Sequence, residues 1–147
     1  MNPSALFSAV LTVLGWGTGT VCDKLAVRGF SPQGLVLARS LVAAASLSVV
    51  GTATGLFREI ATAGLAPVAW TVAGSLTSQV FGQFMYYRAL KVAPASQVVP
   101  VTATYPLVTV ALAMIFLGER LTATKLAGVV LIVVGIILVS GLGRNGV

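Results

Sequence analysis

The sequence predicts an all-α integral membrane protein with five membrane-spanning helices. The chain has 147 residues, of which 57% are hydrophobic and 8% are charged, whereas a soluble domain carries about 25% charged residues. Its mean hydropathy is +1.01. The charged residues are confined to the ends of long apolar runs, so that five runs contain no Asp, Glu, Lys or Arg: residues 1–22, 40–57, 60–87, 92–118 and 126–143.

The length of these runs indicates helices rather than barrel strands. They extend over 18 to 28 residues, and a helix needs roughly 20 apolar residues to cross a hydrocarbon core about 30 Å thick. Barrel strands instead alternate apolar and polar residues over segments of about ten residues. Within lipid, helices satisfy every backbone hydrogen bond internally, so we expect a bundle of helices with its apolar side chains facing lipid.

The first span is expected over about residues 5–22, with Asp23 and Lys24 ending it. It is interpreted as a retained span and not as a cleaved signal peptide, because no Lys or Arg precedes the apolar stretch. The second span is expected over about residues 35–56. Ser31-Pro32 precedes it as a plausible helix cap.

The third span is expected over about residues 67–87, the fourth over about 94–117 and the fifth over about 126–142. All of the connecting loops are expected to be short, and the sequence shows no soluble domain, long linker or low-complexity tail. The whole chain, residues 1–147, is therefore predicted to form a single transmembrane domain.

Composition and charge exclude several function classes. The net charge of +6 comes from scattered basic residues without a cluster, so a nucleic-acid partner is not expected. The chain has no histidine and one cysteine, and its three carboxylates, Asp23, Glu59 and Glu119, are dispersed over three predicted loops. We therefore expect no metal, no cofactor and no enzymatic activity.

The distribution of Lys and Arg gives only a weak orientation signal. With five spans, the first loop, the third loop and the C-terminus lie on one side of the membrane and carry five basic residues. The N-terminus, the second loop and the fourth loop lie on the other side and carry three. The more basic side is usually cytoplasmic, which places the N-terminus outside, but the small margin also allows a mixture of both orientations.

Polar side chains recur at helical spacing inside three of the spans. Ser75, Gln79, Gln83 and Tyr86 or Tyr87 recur on one face of the third span. Comparable rows contain Ser8, Thr12, Trp16 and Thr20 on the first span, and Ser96, Pro100 and Thr104, with Tyr105 nearby, on the fourth. Such rows either line a polar cavity for a small solute or form hydrogen bonds between helices. For the glutamines and Tyr86 the two interpretations have similar weight, whereas single Ser and Thr residues favour the second.

Arg39 and two prolines are the other unusual residues within spans. Arg39 is the one charge expected inside a span, where it either extends to the interface, the favoured interpretation, or binds an anionic group of a solute. Pro100 and Pro106 are predicted helix breaks, because each proline removes a backbone donor and frees a carbonyl group one turn earlier. The freed carbonyls either line a binding site or simply accompany a kink that improves packing.

Several short motifs, taken together, resemble the drug/metabolite transporter superfamily of the EamA type. The motifs are Trp16-Gly17, Arg39 early in the second span, Tyr86-Tyr87-Arg88-Ala89-Leu90, Pro94-Ala95-Ser96, Tyr105-Pro106-Leu107 and Leu117-Gly118-Glu119-Arg120-Leu121-Thr122. The similarity covers essentially the whole chain and is strongest over residues 86–142. A fifth span with spaced glycines completes the pattern.

The resemblance implies one half of a ten-helix transporter that is built from two five-helix repeats of opposite orientation. It implies transport of a small metabolite or amino acid-like solute by alternating access, in the bacterial inner membrane, and a central cavity whose lining residues are, by position, Trp16, Arg39, Gln79, Gln83, Tyr86, Ser96 and Tyr105. An odd number of spans agrees with one inverted repeat. We therefore expect an antiparallel homodimer, or a heterodimer with another five-span chain.

Two alternatives to solute transport remain open at this stage. Four-span relatives in the superfamily suggest a lipid-carrier flippase subunit, and a third possibility is a non-transporting assembly factor for a membrane partner.

Small multidrug exporters in the superfamily couple transport to protons through a glutamate in the first span. Here the expected first span contains no acid, and we expect no buried carboxylate elsewhere, so that coupling device is not predicted.

Overall fold

The computed structural model describes residues 2–118 and 122–140, and all regular secondary structure in these residues is helical. The helices belong to two compact units, Met1–Val92 and Ala93–Val147. Each unit is described by itself. The all-helical architecture and its long apolar helices confirm the predicted class of all-α membrane protein.

The first helix, α1, extends over Pro3–Ala26 and is longer than the predicted span. It begins where the side chain of Asn2 accepts a hydrogen bond from the backbone N–H of Ser4, at 3.3 Å. The prediction that Asp23 and Lys24 end the helix is wrong. Both charged groups are satisfied within the fold, by Arg39 and by the carbonyl of Leu90 respectively, so the helix continues through them.

The second helix, α2, extends over Pro32–Thr54, and its start confirms the predicted cap. Ser31 Oγ accepts a hydrogen bond from the N–H of Gly34 at 3.0 Å, and proline occupies the first turn. At its end, Gly55 adopts φ +77°, and a short helix, α3, follows over Leu56–Thr62. The second loop of the prediction therefore contains a helix.

Gly55 is expected to tolerate substitution poorly, because its left-handed backbone conformation is unfavourable for any residue with a Cβ. Replacing it with alanine should lower the free energy of unfolding by roughly 1–2 kcal/mol. Gly64→Ala is the matched control, since Gly64 has φ −68° and an added Cβ would come no closer than 3.8 Å to Pro67. Thermal unfolding of both variants in detergent measures the difference. Equal melting temperatures for the two variants would contradict the expectation.

The third long helical element is continuous from Leu65 to Val92 but changes its winding. It begins as α4, Leu65–Gly74, widens to a π-helix over Ser75–Gly82, hereafter the π segment, and returns to an α-helix as α5, Gln83–Val92. The predicted loop at residues 88–91 is wrong, because these residues are the last turn of α5. Their charges are accommodated there: Arg88 lies over the Phe84 ring, and Lys91 Nζ donates to the carbonyl of Phe30 at 3.0 Å.

The described part of the second unit contains three helices. The helix α6, Ala95–Thr102, contains Pro100, and α7, Tyr105–Leu117, has Pro106 in its first turn. The two helices are separated at residues 103 and 104. The last helix, α8, extends over Ala123–Ser140 and packs against α6. Glu119 and Arg120 in the predicted fourth loop, and the end of the predicted fifth span, lie outside the described residues.

The described residues contain fewer clear spans than the five predicted. Three segments are long and apolar enough to cross a membrane: Pro3–Ala26, Pro32–Thr54 and Ala95–Leu117. A fourth is obtained if Leu56–Thr62 and Leu65–Val92 count as one span, although they are bent by 111° at their junction. In α8, the described apolar segment Leu126–Leu138 is shorter than these spans, and the predicted fifth span continues beyond the described residues.

The protein-buried core of the first unit lies at one end of its helices. Val27, Leu35, Tyr87 and Leu90 are buried there, close to the turn between α1 and α2. In contrast, residues 3–18 of α1 are all exposed. In the described part of the second unit, Val98 is the buried large apolar residue. This distribution is typical of membrane helices, whose apolar side chains face lipid instead of a protein interior.

Candidate functional site

The first unit contains a cavity of about 310 Å³ between α2 and the helix that includes the π segment and α5. We call it the Arg39 cavity. Its lining combines one cation, three neutral polar side chains, a tyrosine and two apolar residues. The lining residues are Val36, Arg39, Ser40, Ala43, Gln79, Gln83 and Tyr87.

Helical spacing explains why these residues meet. The α2 residues are spaced by three and four positions, which places them on one face of an α-helix. On the facing helix, Gln79, Gln83 and Tyr87 are spaced by four. In a regular α-helix Gln79 and Tyr87 would be about 80° apart around the axis. The wider turn of the π segment rotates less per residue, and therefore brings Gln79 closer to the line of Tyr87.

An ion pair between Asp23 of α1 and Arg39 of α2 lies beside the cavity. Arg39 Nη1 donates to Asp23 Oδ1. The Asp23 side chain is 9% exposed, whereas that of Arg39 is 49% exposed and lines the cavity. A guanidinium group has five N–H donors in a planar fork, so Arg39 retains donors for a ligand while it holds Asp23.

Gln83, which lines the same cavity, has an unsatisfied acceptor. Its side-chain oxygen, Oε1, is buried and has no hydrogen-bond partner among the described residues. A buried polar atom without a partner costs about 1–3 kcal/mol. A ligand that reached this oxygen would relieve that cost. The cavity lining therefore includes a cationic donor and a glutamine whose amide oxygen lacks a partner.

Polar contacts between helices cluster next to the cavity. The Tyr86 hydroxyl donates to Thr20 Oγ1 at 3.2 Å, and the Lys24 ammonium donates to the carbonyl of Leu90. Both contacts join α1 to α5. Tyr86 and Tyr87 also lie within electrostatic reach of Asp23 and Arg39. Together with the Asp23–Arg39 ion pair, which joins α1 to α2, these contacts connect α1, α2 and α5 at the end where the apolar core is buried.

The Tyr86 contact predicts a moderate loss of stability. Tyr86→Phe removes one hydrogen bond between α1 and α5 and is expected to lower the free energy of unfolding by about 1 kcal/mol. Thr20→Val and the double variant complete a mutant cycle that isolates the coupling between the two side chains. The measurement is thermal unfolding in detergent. If the two single changes are additive, the hydrogen bond contributes nothing.

The structure separates the seven predicted cavity residues into groups. Arg39, Gln79 and Gln83 lie together in the Arg39 cavity, whereas Tyr86, the next predicted residue on that helix, is directed to Thr20 of α1. Trp16 is 67% exposed on α1. The remaining two belong to the second unit, Ser96 on α6 and Tyr105 on α7, which also contain the predicted helix breaks Pro100 and Pro106 respectively. A role in solute binding stays a prediction for all of them.

The hydroxyl row of the first span uses its hydrogen bonds within the helix. Ser8 donates to the carbonyl of Ser4, Thr12 to that of Ser8, and Thr20 to that of Trp16, at 2.9–3.0 Å. Back-bonding to the preceding turn is a common solution for Ser and Thr in helices. These hydroxyl groups therefore donate neither into the cavity nor to a neighbouring helix. Thr20 Oγ1 does, however, accept a hydrogen bond from Tyr86 of α5.

The ion-pair partner of Arg39 was not predicted from the sequence. Extension of Arg39 to the interface was favoured and no buried carboxylate was expected, but Asp23 is buried and paired with Arg39. One signal was present: an arginine within a span needs a counter-charge, and Asp23 lies 16 positions before Arg39 across a single turn. Ser40, which also lines the cavity, carried no distinctive signal on a helix with other small polar residues.

The described residues contain no group of three or more His, Cys, Asp or Glu side chains that could hold a metal ion. The polar groups near the cavity instead form an ion pair and uncharged hydrogen-bonding sites. This arrangement can bind a small polar molecule through directed hydrogen bonds and charge.

Comparison with known proteins gives one family and several relatives. The model of the EamA-like transporter family matches residues 3–141. A protein of Streptantibioticus cattleyicolor described as a probable terminal-alkyne amino-acid exporter is 27% identical over 141 residues, which are 96% of this chain and 46% of that protein. An uncharacterized transporter of Archaeoglobus fulgidus is 29% identical over 75 residues, 51% of this chain and 27% of that protein.

An uncharacterized protein of Methanocaldococcus jannaschii has higher identity over a shorter stretch. It is 48% identical over 61 residues, which are 42% of this chain and 44% of that protein. The aligned stretches thus cover less than half of each of these three relatives. No solved structure matches the chain.

Proposed function

This chain belongs to the EamA-like transporter family, and from that premise we propose that it is a membrane transporter subunit that moves a small metabolite or amino acid-like solute by alternating access. The observation that supports the proposal is the Arg39 cavity, whose lining includes a guanidinium group and a glutamine with an unsatisfied amide oxygen. Its volume of about 310 Å³ is within the usual range for small-molecule sites.

The chemistry of the cavity favours a solute with both a carboxylate and a hydrogen-bond donor. A carboxylate would accept hydrogen bonds from the free donors of Arg39, since a guanidinium matches its planar geometry. A donor group of the solute would give Gln83 Oε1 the hydrogen bond that it lacks. The S. cattleyicolor relative, described as a probable terminal-alkyne amino-acid exporter, supports this class of solute. A lipid carrier would instead call for a largely apolar cavity.

We further propose that the working unit has five spans and pairs with a second such unit in the opposite orientation. The partner is either a second copy of this chain or another five-span chain. One observation supports the pairing: the S. cattleyicolor relative that aligns with nearly all of this chain is about twice as long. Inverted repeats place the solute site at their interface. The proposed location is the bacterial inner membrane.

The direct test of the function is transport by the purified chain in liposomes. Proteoliposomes loaded with unlabelled norvaline should accumulate radiolabelled norvaline from outside by exchange, whereas protein-free liposomes should not. Norvaline is a suitable probe because it carries a carboxylate, an ammonium group and a short apolar chain. The absence of exchange with norvaline and with a panel of other small zwitterions would contradict the proposal.

The antiparallel pairing has a separate test. Reporters active in only one compartment can be fused after Val147 and expressed with the chain as the single source of the family in the cell. Activity on both sides of the membrane is expected for a homodimer that inserts in two orientations. Activity on one side alone would contradict self-pairing in opposite orientations and would leave a different five-span chain as the partner.

A further inference from the structure

We infer that Asp23 determines the charge preference of the Arg39 cavity: by neutralising Arg39, it favours solutes without net charge over anions. This inference rests on the proposed function of the cavity as a solute site. Asp23 is absent from the cavity lining and contacts Arg39, which lines it. Asp23 is therefore a positioning and specificity-determining residue that acts through the guanidinium group.

The ion pair gives the cavity a balanced charge. Arg39 is the one charged residue among the described lining residues. Its counter-ion, Asp23, is buried beside it, so screening by solvent is weaker than at an exposed pair. A carboxylate that binds to Arg39 is attracted by the guanidinium and repelled by Asp23 at short range. The two effects largely cancel, and an anion gains little from entering.

The other charged side chains of the first unit do not line the cavity. Lys24 and Lys91 donate to the backbone carbonyls of Leu90 and Phe30, and Arg88 lies over the ring of Phe84. None of these three cations lines the cavity. The charge that a bound solute experiences is therefore set mainly by the Asp23–Arg39 pair.

A zwitterion fits this arrangement better than an anion with the same carbon skeleton. Its carboxylate accepts hydrogen bonds from the free donors of Arg39. Its ammonium group is attracted by the Asp23 carboxylate and donates a hydrogen bond to Gln83 Oε1. An anion that lacks the ammonium group leaves Gln83 unsatisfied and retains the repulsion from Asp23. Discrimination thus includes a repulsive element as well as an attractive one.

The experiment compares norvaline with pentanoate, which has the same chain without the ammonium group. Equilibrium binding of both radiolabelled solutes is measured on the purified full chain in detergent. The wild type is expected to bind norvaline more tightly than pentanoate. In Asp23→Asn, the preference for norvaline over pentanoate should decrease by about tenfold. Both solutes are relieved of the repulsion on their carboxylate, but norvaline also loses the attraction of Asp23 for its ammonium group. Should that variant fail to purify, Asp23→Ser provides the same comparison.

Three further variants separate charge preference from a merely structural role. Asp23→Glu keeps the negative charge and should retain the wild-type preference. Glu59→Gln removes one negative charge from an exposed position on α3 that does not line the cavity, and should leave the preference unchanged. Asp23→Asn combined with Arg39→Gln should lose the gain in pentanoate binding, because no guanidinium is left to attract the carboxylate.

The outcomes are decisive in both directions. A shift toward pentanoate in Asp23→Asn, absent in Asp23→Glu and Glu59→Gln, supports the inference. An unchanged preference in Asp23→Asn and Asp23→Ser overturns it, as does a complete lack of binding by all of these proteins. If Asp23→Asn gains pentanoate binding but the wild type transports no solute in liposomes, the inference stands and the proposed transport function fails.

Discussion

Replacing Arg39 with glutamine should lower the free energy of unfolding by about 3 kcal/mol, the usual cost of leaving a buried charge without its partner. Asp23 is nine-tenths buried and has Arg39 as its ion-pair partner. Arg39 itself is half exposed, so the reverse change, Asp23→Asn, should cost less. The expectation therefore includes an asymmetry between the two partners as well as a large effect at Arg39.

The double variant tests the cause of this loss. Combining Arg39→Gln with Asp23→Asn removes the unpaired carboxylate and should recover most of the stability lost in the single variant. Solute binding should not recover, because the guanidinium group remains absent. Unfolding in a denaturing detergent, followed by circular dichroism, measures stability, and norvaline exchange measures function. Wild-type stability of Arg39→Gln would show that the pair makes no net contribution.

Gln83→Met should reduce norvaline exchange by roughly 10- to 100-fold, which corresponds to the loss of one hydrogen bond to a buried acceptor. Methionine has nearly the same length and volume but cannot accept a strong hydrogen bond. In the structure, Gln83 Oε1 is buried and unsatisfied. The same change is therefore expected to leave stability unchanged, or to raise it by about 1 kcal/mol. Opposite effects on stability and transport would identify an acceptor that serves the solute.

Gln33→Met is the matched control for this change. Gln33 is exposed near the start of α2 and does not line the Arg39 cavity, so its substitution should affect neither quantity. Norvaline exchange and thermal unfolding of both variants are compared under the same conditions. A clear loss of stability in Gln83→Met, with transport reduced only in proportion, would show that Gln83 supports packing and not solute binding.

The elements that could be predicted are those that depend on local sequence. Apolar runs determine where helices lie, and the Ser31-Pro32 signal correctly located the start of α2, because a cap depends on residues a few positions apart. The ends of helices at charged residues were misplaced. Asp23 and the segment 88–91 remain helical because distant groups satisfy their charges, and tertiary contacts of that kind are invisible in a local pattern.

The candidate site divides in the same way. Gln79 and Gln83 were predicted to share a face, and the structure places both in one cavity. Their helix winds as a π-helix over Ser75–Gly82, which simple helical spacing does not reveal. The ion pair was missed because it joins two helices. The sequence left Tyr86 and Tyr87 as alternatives for that face, and adjacent residues on a helix point in directions about 100° apart: Tyr87 lines the cavity and Tyr86 contacts α1.

The clustering of polar contacts at one end of α1 has a mechanical consequence. Thr20, Asp23 and Lys24 fasten this helix to its neighbours, while residues 3–18 are exposed. A helix of 24 residues is about 36 Å long, so it can act as a lever with its pivot near one tip. A tilt of only about 10° would move the opposite end of the helix sideways by roughly 6 Å. A small change at the fixed end would thus become a larger displacement on the other side of the bilayer.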